Sequence, residues 1–241
     1  MYRIQAVIFA ALSIVGACQV WGSDLQTRQS ALYPFQSMIE LQDDFIGGNT
    51  TSGSIGVLGF SSGGTLGAAV SSTANRLGLI LLDTSAVPAT QARINFGQNS
   101  VVFDPAIPHS VKWILKLDTN DANTLIRFGA SNPVQNNPPT NGIYIEKLDA
   151  DTNWFCVTRS GGVQTRTDST VAIDTNYHTF TYTRTSTGVV FSIDNTSVCG
   201  THTTNIPTTF IDPVVFILNS AAASKTTTID YFQIRIYGIV R

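Results

Sequence analysis

The sequence predicts an all-β fold, an antiparallel β-sandwich of short strands. Three observations predict it. First, apolar residues recur with period two: in Ser110–Leu117, Val111, Trp113, Leu115 and Leu117 face one way, and Lys112 and Lys116 the other. Side chains alternate between the faces of a strand, so this pattern describes a strand with one buried side. Second, clusters of Gly, Asn, Asp and Pro punctuate such runs at roughly 8–12-residue spacing, the rhythm of a sandwich or barrel. Third, no run after residue 40 repeats with the helical period.

Composition narrows the setting. Of the 241 residues 43% are apolar, but only 12% are charged, about half the usual share of roughly 25%. Thr, Ser, Asn and Gly take up the difference, giving the neutral, hydroxyl-rich surface of many extracellular and virion proteins. A net charge of −2 offers no electrostatic reason to expect nucleic acid. Outside the N-terminus no apolar run is long enough for a membrane-spanning helix, so no membrane contact is expected beyond a lipid anchor.

That anchor is a reading of Met1–Ser23. Arg3 precedes the apolar run Ala6–Ala17, the layout of a signal peptide or a hydrophobic N-terminal helix. Val15-Gly16-Ala17-Cys18 is a loose lipobox, with Val where Leu is usual, which makes Cys18 a lipidation candidate. Cleavage after Gly22 with Val20 at −3 is the alternative, and a segment retained for assembly is a third. Asp24–Ile39 is polar with scattered apolar residues and reads as a linker or extended arm. The sandwich is expected over residues 40–241.

The strands follow in order. Leu41–Phe45 opens the domain. Gly56–Phe60 and Thr65–Val70 flank the turn Ser61-Ser62-Gly63-Gly64. Leu77–Asp83 is a continuous apolar run, as in a strand buried on both faces. Thr90–Phe96 and Ser100–Phe103 are short, and Pro105 and Pro108 break the chain before Ser110–Leu117. Thr124–Ala130 precedes the Pro/Asn-rich loop Asn132–Asn141. A meander occupies Asn141–Asp168: Gly142–Leu148, the turn Asp149–Asn153, then Asn153–Arg159, the turn Ser160–Gly162, and Val163–Asp168. Asp and Asn suit the first turn because their side chains bond their own backbone. Tyr177–Arg184, Gly188–Asp194, Ser197–His202, Pro213–Asn219 and Thr226–Tyr237 complete the set.

The order of LQDDF, LGLILLD, GIYIEK, WFCVTRSGG, FTYTR, VVFSIDN and IDYFQIRI resembles a concanavalin A-like lectin/glucanase jelly roll over roughly residues 40–241. More narrowly, LQDDFIGG, PPTNGIYIEK, DTNWFCVTRSGG, TTNIP and DYFQI are similar to modules of phage tail and fibre proteins from environmental viruses. The resemblance implies that the first and last strands pair, which brings Asp44 and Phe45 near Asp230 and Phe232. The signal-like N-terminus departs from the phage pattern and fits a secreted cellular protein.

Candidate chemistry is sparse. Gly59-Phe60-Ser61-Ser62-Gly63 spells G-x-S-x-G, but a nucleophile elbow needs a following helix, and Gly64 and Gly67 spoil one. Glucanases of the resembled superfamily carry paired carboxylates on one strand, roughly E-x-D-x-E; Glu146 has no such partner, so the chain is not expected to be an enzyme. Asp149–Asn153 and Asp118–Asp121 imitate Ca²⁺ loops without the Gly and Glu an EF-hand needs, so no cofactor is expected, Ca²⁺ being the one to consider. His109, His178 and His202 lack ligand spacing. Sugars present C–H faces and hydroxyl rims, so their sites pair an aromatic platform with planar polar groups. Tyr144, Glu146, Trp154 and Arg159, on neighbouring strands, are the candidates for a glycan site, against the plainer reading of Trp154 as core and Glu146–Arg159 as a surface pair. Cys156 and Cys199 lie on strands and are either a disulfide, if the compartment is oxidising, or two buried thiols. Asn49-Thr50-Thr51 and Asn195-Thr196-Ser197 are glycosylation sequons.

The expected function is a surface-displayed structural or binding module, as in a virion fibre or a secreted coat. Its partners would be a glycan or cell-surface receptor and other copies of itself. The alternatives are a filament subunit that lends residues 24–39 to a neighbour's sheet, and a glycoside hydrolase or lyase.

Overall fold

Fifteen strands make up the computed structural model, which describes residues 38–46, 55–64, 68–73, 76–96, 103–134 and 138–238. The signal segment, Cys18, the arm up to residue 37 and the Asn49 sequon lie outside the described residues. The strands run β1 (Ile39–Asp43), β2 (Ser61–Gly64), β3 (Ala68–Thr73), β4 (Arg76–Asp83), β5 (Gln91–Asn95), β6 (His109–Leu117), β7 (Thr124–Asn132) and β8 (Asn141–Lys147). Then come β9 (Asn153–Ser160), β10 (Val163–Ala172), β11 (His178–Arg184), β12 (Val189–Ile193), β13 (Thr196–His202), β14 (Asp212–Asn219) and β15 (Thr226–Ile236). They form two antiparallel sheets, of eight strands (β13-β12-β11-β6-β15-β4-β3, with β1 on β15) and of seven (β10-β9-β8-β7-β14-β5-β2).

The last strand has two partners along one edge. Thr226–Ile229 of β15 pairs with β4, and Phe232–Ile236 pairs with β1. Between them, a register shift at Asp230 separates Ile229 from Tyr231 on the β6 side. The first and last strands therefore pair, with Asp43 opposite Phe232. Gly78, at the head of β4 with φ +73°, passes so near the end of β1 that a Cβ there would lie 2.2 Å from the Asp44 carbonyl oxygen. Beyond β1, the buried Asp43 carboxylate accepts the Phe45 and Leu58 amides at 2.7 and 2.8 Å. These bonds fix a kink at Phe45 (φ 57°) and send its ring into the core.

The core lies between the sheets. At one end Phe45, Phe60, Phe96, Trp113 and Phe232 contact one another, with Phe60 stacked on Phe96 at 4.2 Å. At the other end Phe128, Trp154 and Phe180 meet at 4.5–5.5 Å. The Trp113 indole N–H donates to the Gly129 carbonyl at 3.3 Å, a polar link between sheets.

Some boundaries differ from the expectation. Ser61–Gly64 is strand, not turn, because it pairs with β5, and the turn lies at 55–60, closed by an Ile55–Phe60 bridge. Leu77 is exposed at 65%, so β4 is buried on both faces only beyond Gly78. Ile39 already belongs to β1, so the sandwich begins one residue before the expected boundary.

Cys156 of β9 and Cys199 of β13 are joined by a disulfide, with Cα atoms 6.2 Å apart and a sequence separation of 43. It ties the seven-stranded sheet to the eight-stranded one. Closing a loop of that length removes unfolded-chain entropy worth on the order of 4 kcal/mol. Replacing both cysteines by Ser should therefore lower the unfolding free energy by that order in denaturant titration, and equal midpoints would show that the cross-link contributes nothing.

Candidate functional site

The register of the seven-stranded sheet lines up its outward side chains in rows across the strands. One row reads Gly63, Arg93, Phe216, Arg127, Glu146, Phe155, Asp168. Its neighbour reads Ser61, Asn95, Val214, Gly129, Tyr144, Val157, Arg166. Three of the expected glycan-site residues, Tyr144, Glu146 and Arg159, share this face. Trp154 does not: strand alternation points it into the core, where it is 1% exposed against Phe128 and Phe180.

Much of this face is closed. Tyr144 is fully buried and Glu146 is 2% exposed. Arg127 reaches one Glu146 carboxylate oxygen through Nε at 3.2 Å and Nη2 at 2.9 Å, and Arg166 reaches the other at 2.8 Å. Arg166 also pairs with Asp151 and lies 3.5 Å over the Phe155 ring. Glu146 is thus saturated by two guanidiniums and is not available as a solvent-facing sugar contact. Gly129 and Gly142 leave room for the Tyr144 ring, since a Cβ on Gly142 would meet it at 2.8 Å. Burial pushes the Tyr144 hydroxyl up to about 12. Toward β14, Val134 from the loop after β7 packs on Leu125, Val214 and Phe216. Arg159 is the exception: half-buried, it holds Gln164 at 2.6 Å.

Two groups on this face were not singled out by the sequence reading. Asp212, 5% exposed, accepts from Asn95 Nδ2 at 3.1 Å, and burial raises its pKa to about 7 against that bond. Arg93 lies over Gly63. An Arg or Asp beside an apolar strand run, as in ARINF and IDPVVF, was the available signal.

The outward face of the eight-stranded sheet is open and hydrophilic. One row reads Gln42, Gln233, Lys112, Thr181, Ser192, Ser197. Beside it lies an open groove of about 440 Å³, lined by Asp44, Lys112, Ile114, Thr179, Asn195, Asp230 and Tyr231. The groove sits where β15 passes from β4 to β1, so the shift at Asp230 shapes it. Tyr231 donates its hydroxyl proton to Gln42 at 2.9 Å and accepts from Gln233 at 3.1 Å, which fixes the ring. Arg76 pairs with Asp230 and stacks 3.9 Å over Tyr177. The far wall is held by His178, whose nitrogens contact Asp194 at 2.6 Å and Asp174 at 2.9 Å. Asp194 also accepts the Thr179 amide at 2.8 Å, and the turn at Asp194 and Asn195 (φ 50° and 65°) places Asn195 on the rim. Burial lowers the His178 pKa, but the two carboxylates outweigh it and the net shift is upward.

The other expected features are accounted for locally. Asp151 accepts the Leu148 amide at 2.8 Å, and Asp118 binds Thr228 and Lys116 at 2.6 Å, so these carboxylates hold turns and cations. Among the described residues no three His, Cys, Asp or Glu side chains cluster as metal ligands. His109 is buried and pushed down to about 4 by burial, and His202 bonds Thr158 and Thr167. Ser61 of the G-x-S-x-G run lies on a strand, and among the described residues the next element is another strand, β3.

The profile of the family described as SO2946-like, C-terminal domain, matches residues 75–235. No curated protein matches the sequence. In structure the chain is similar to the protein of unknown function SO2946 from Shewanella oneidensis MR-1: TM-score 0.61, 12% identity, 84% of this chain and 88% of that one. It is similar to a Bacillus licheniformis β-glucanase (0.56; 16%; 83% and 98%). A third likeness is to the carbohydrate recognition domain of Emp47p (0.57; 12%; 83% and 95%). These likenesses establish the concanavalin A-like jelly roll. They overturn the expectation that the chain is not an enzyme: glycoside hydrolases and lectin domains share this fold, and the missing E-x-D-x-E argues against one catalytic arrangement only.

The Asp212 environment makes stability depend on pH. Its folded pKa lies above the unfolded value, so its contribution is complete below about 4 and is lost as pH rises towards about 7. Asp212→Asn should flatten that part of a pH–Tm profile and raise Tm at pH 8; an unchanged slope would show that Asp212 is not held near neutrality.

Proposed function

We infer that this chain, which belongs to the SO2946-like, C-terminal domain family, binds carbohydrate in the groove on its eight-stranded sheet. The groove itself carries the reading. A fixed Tyr231 ring beside Ile114 offers a platform for a sugar's C–H face. Asp44, Asp230, Lys112, Thr179 and Asn195 surround it with acceptors and donors for hydroxyls. A carbohydrate recognition domain and a β-glucanase on the same fold support the choice of ligand class. Two carboxylates, Asp44 and Asp230, face the groove, and glycoside cleavage works through such pairs, so bond cleavage is scored beside binding.

The setting we propose is an outer surface, a virion fibre or a secreted coat. The Cys156–Cys199 disulfide supports it, because such bonds persist in oxidising compartments.

A panel of immobilised glycans, followed by titration calorimetry and a reducing-end assay on each hit, tests the reading. Tyr231→Ala should weaken binding roughly tenfold, about 1.4 kcal/mol, with Tm little changed, while Tyr144→Phe on the closed face should leave affinity intact. Full affinity in the Tyr231 variant, or no glycan retained by the native protein, would reject it.

A further inference from the structure

Among the described residues Arg93 has no carboxylate partner. It lies on β5, half-buried, in the outward row of the seven-stranded sheet. Its Nε is buried and has no hydrogen-bond partner. Burial lowers its pKa and no carboxylate opposes that shift. Asp212, bonded to Asn95 two residues along the same strand, is itself pulled towards neutrality. Arg127 and Arg166 on the same face share Glu146 instead, and Arg159 donates to Gln164.

The guanidinium is nonetheless well seated. A Cβ on Gly63 would lie 2.6 Å from its Nη2 and 2.7 Å from Cζ, so the bare glycine of β2 is its floor. Phe216, 2% exposed, is its cross-strand neighbour on β14. Gln91 and Asn95 flank it on its own strand. A guanidinium offers five N–H donors in a planar fork that matches a carboxylate or sulfate. Holding it partly desolvated without an anion is unfavourable, and an anion supplied from outside recovers the loss.

We propose that Arg93 anchors an anion-binding site on the outward face of the seven-stranded sheet, and that its ligand is an acidic saccharide bearing a carboxylate or a sulfate ester. The saccharide part rests on the carbohydrate-binding reading above, but the site is on the opposite sheet and uses none of the groove residues.

Titration of the whole purified protein with polygalacturonate, with dextran sulfate and with neutral dextran tests this. At least one acidic polymer should bind in a salt-sensitive way; the first alone identifies a carboxylate ligand, the second alone a sulfate ligand. Arg93→Gln should weaken that binding at least tenfold without shifting Tm by more than a few degrees. Arg93→Lys, which keeps the charge but not the fork, should fall between. Tyr231→Ala should leave acidic-polymer binding unchanged, so that failure of the groove is distinguishable from failure of this site. Neither acidic polymer bound, neutral dextran bound as tightly, or native affinity in Arg93→Gln would each overturn the proposal.

Discussion

The eight-stranded sheet depends on how its final strand divides one edge between two partners. β15 gives its first half to β4 and its second half to β1, and between the two its register against β6 shifts by a bulge. That shift falls at Asp230. It aims Tyr231 outward and Phe232 into the aromatic core. Gly78 and Asp43 make the arrangement possible, one by letting β1 pass close to β4, the other by tying down the chain beyond β1. The groove is therefore a by-product of strand pairing, and its position follows from topology.

The two outward faces are built on opposite principles. On the seven-stranded sheet, large side chains and charges are buried together, and Glu146 is held by two guanidiniums on strands either side of it. Such a network fixes geometry more surely than it adds stability, because each buried charge must recover its lost hydration. On the eight-stranded sheet the outward row from Gln42 to Ser197 is amides and hydroxyls with one ammonium, Lys112, and much of it meets water. An exposed hydroxyl-rich face with an ordered aromatic ring suits a neutral, hydrated ligand.

How much of this was legible follows from what sequence patterns encode. Strand alternation is local, so His109–Leu117 and the meander strands β8 and β9 could be read to within a residue or two, while β10 runs four residues past the expected Asp168. The pairing of first and last strands came from resemblance alone. The face of each residue was also readable: alternation separates Trp154 from Phe155 and Arg159 within one strand. What alternation cannot say is which sheet face lies open. Tyr144 and Glu146 looked solvent-facing because they oppose Ile143 and Ile145, yet Val134 and two arginines from other strands close over that face. The SSGG turn was misread for a similar reason. Its glycines suggest a loop, but Gly63 is required on β2 because Arg93 of the partner strand fills the space a side chain would take. The groove was invisible because its residues come from distant parts of the chain.

The most direct test of the central claim is amide chemical-shift mapping of the labelled protein with a neutral oligosaccharide selected from the glycan panel. The account predicts perturbations clustered at Lys112, Ile114, Thr179, Asn195 and Tyr231, around the groove of the eight-stranded sheet. Perturbations centred on Phe155, Arg159 and Gln164, on the other sheet, would contradict it.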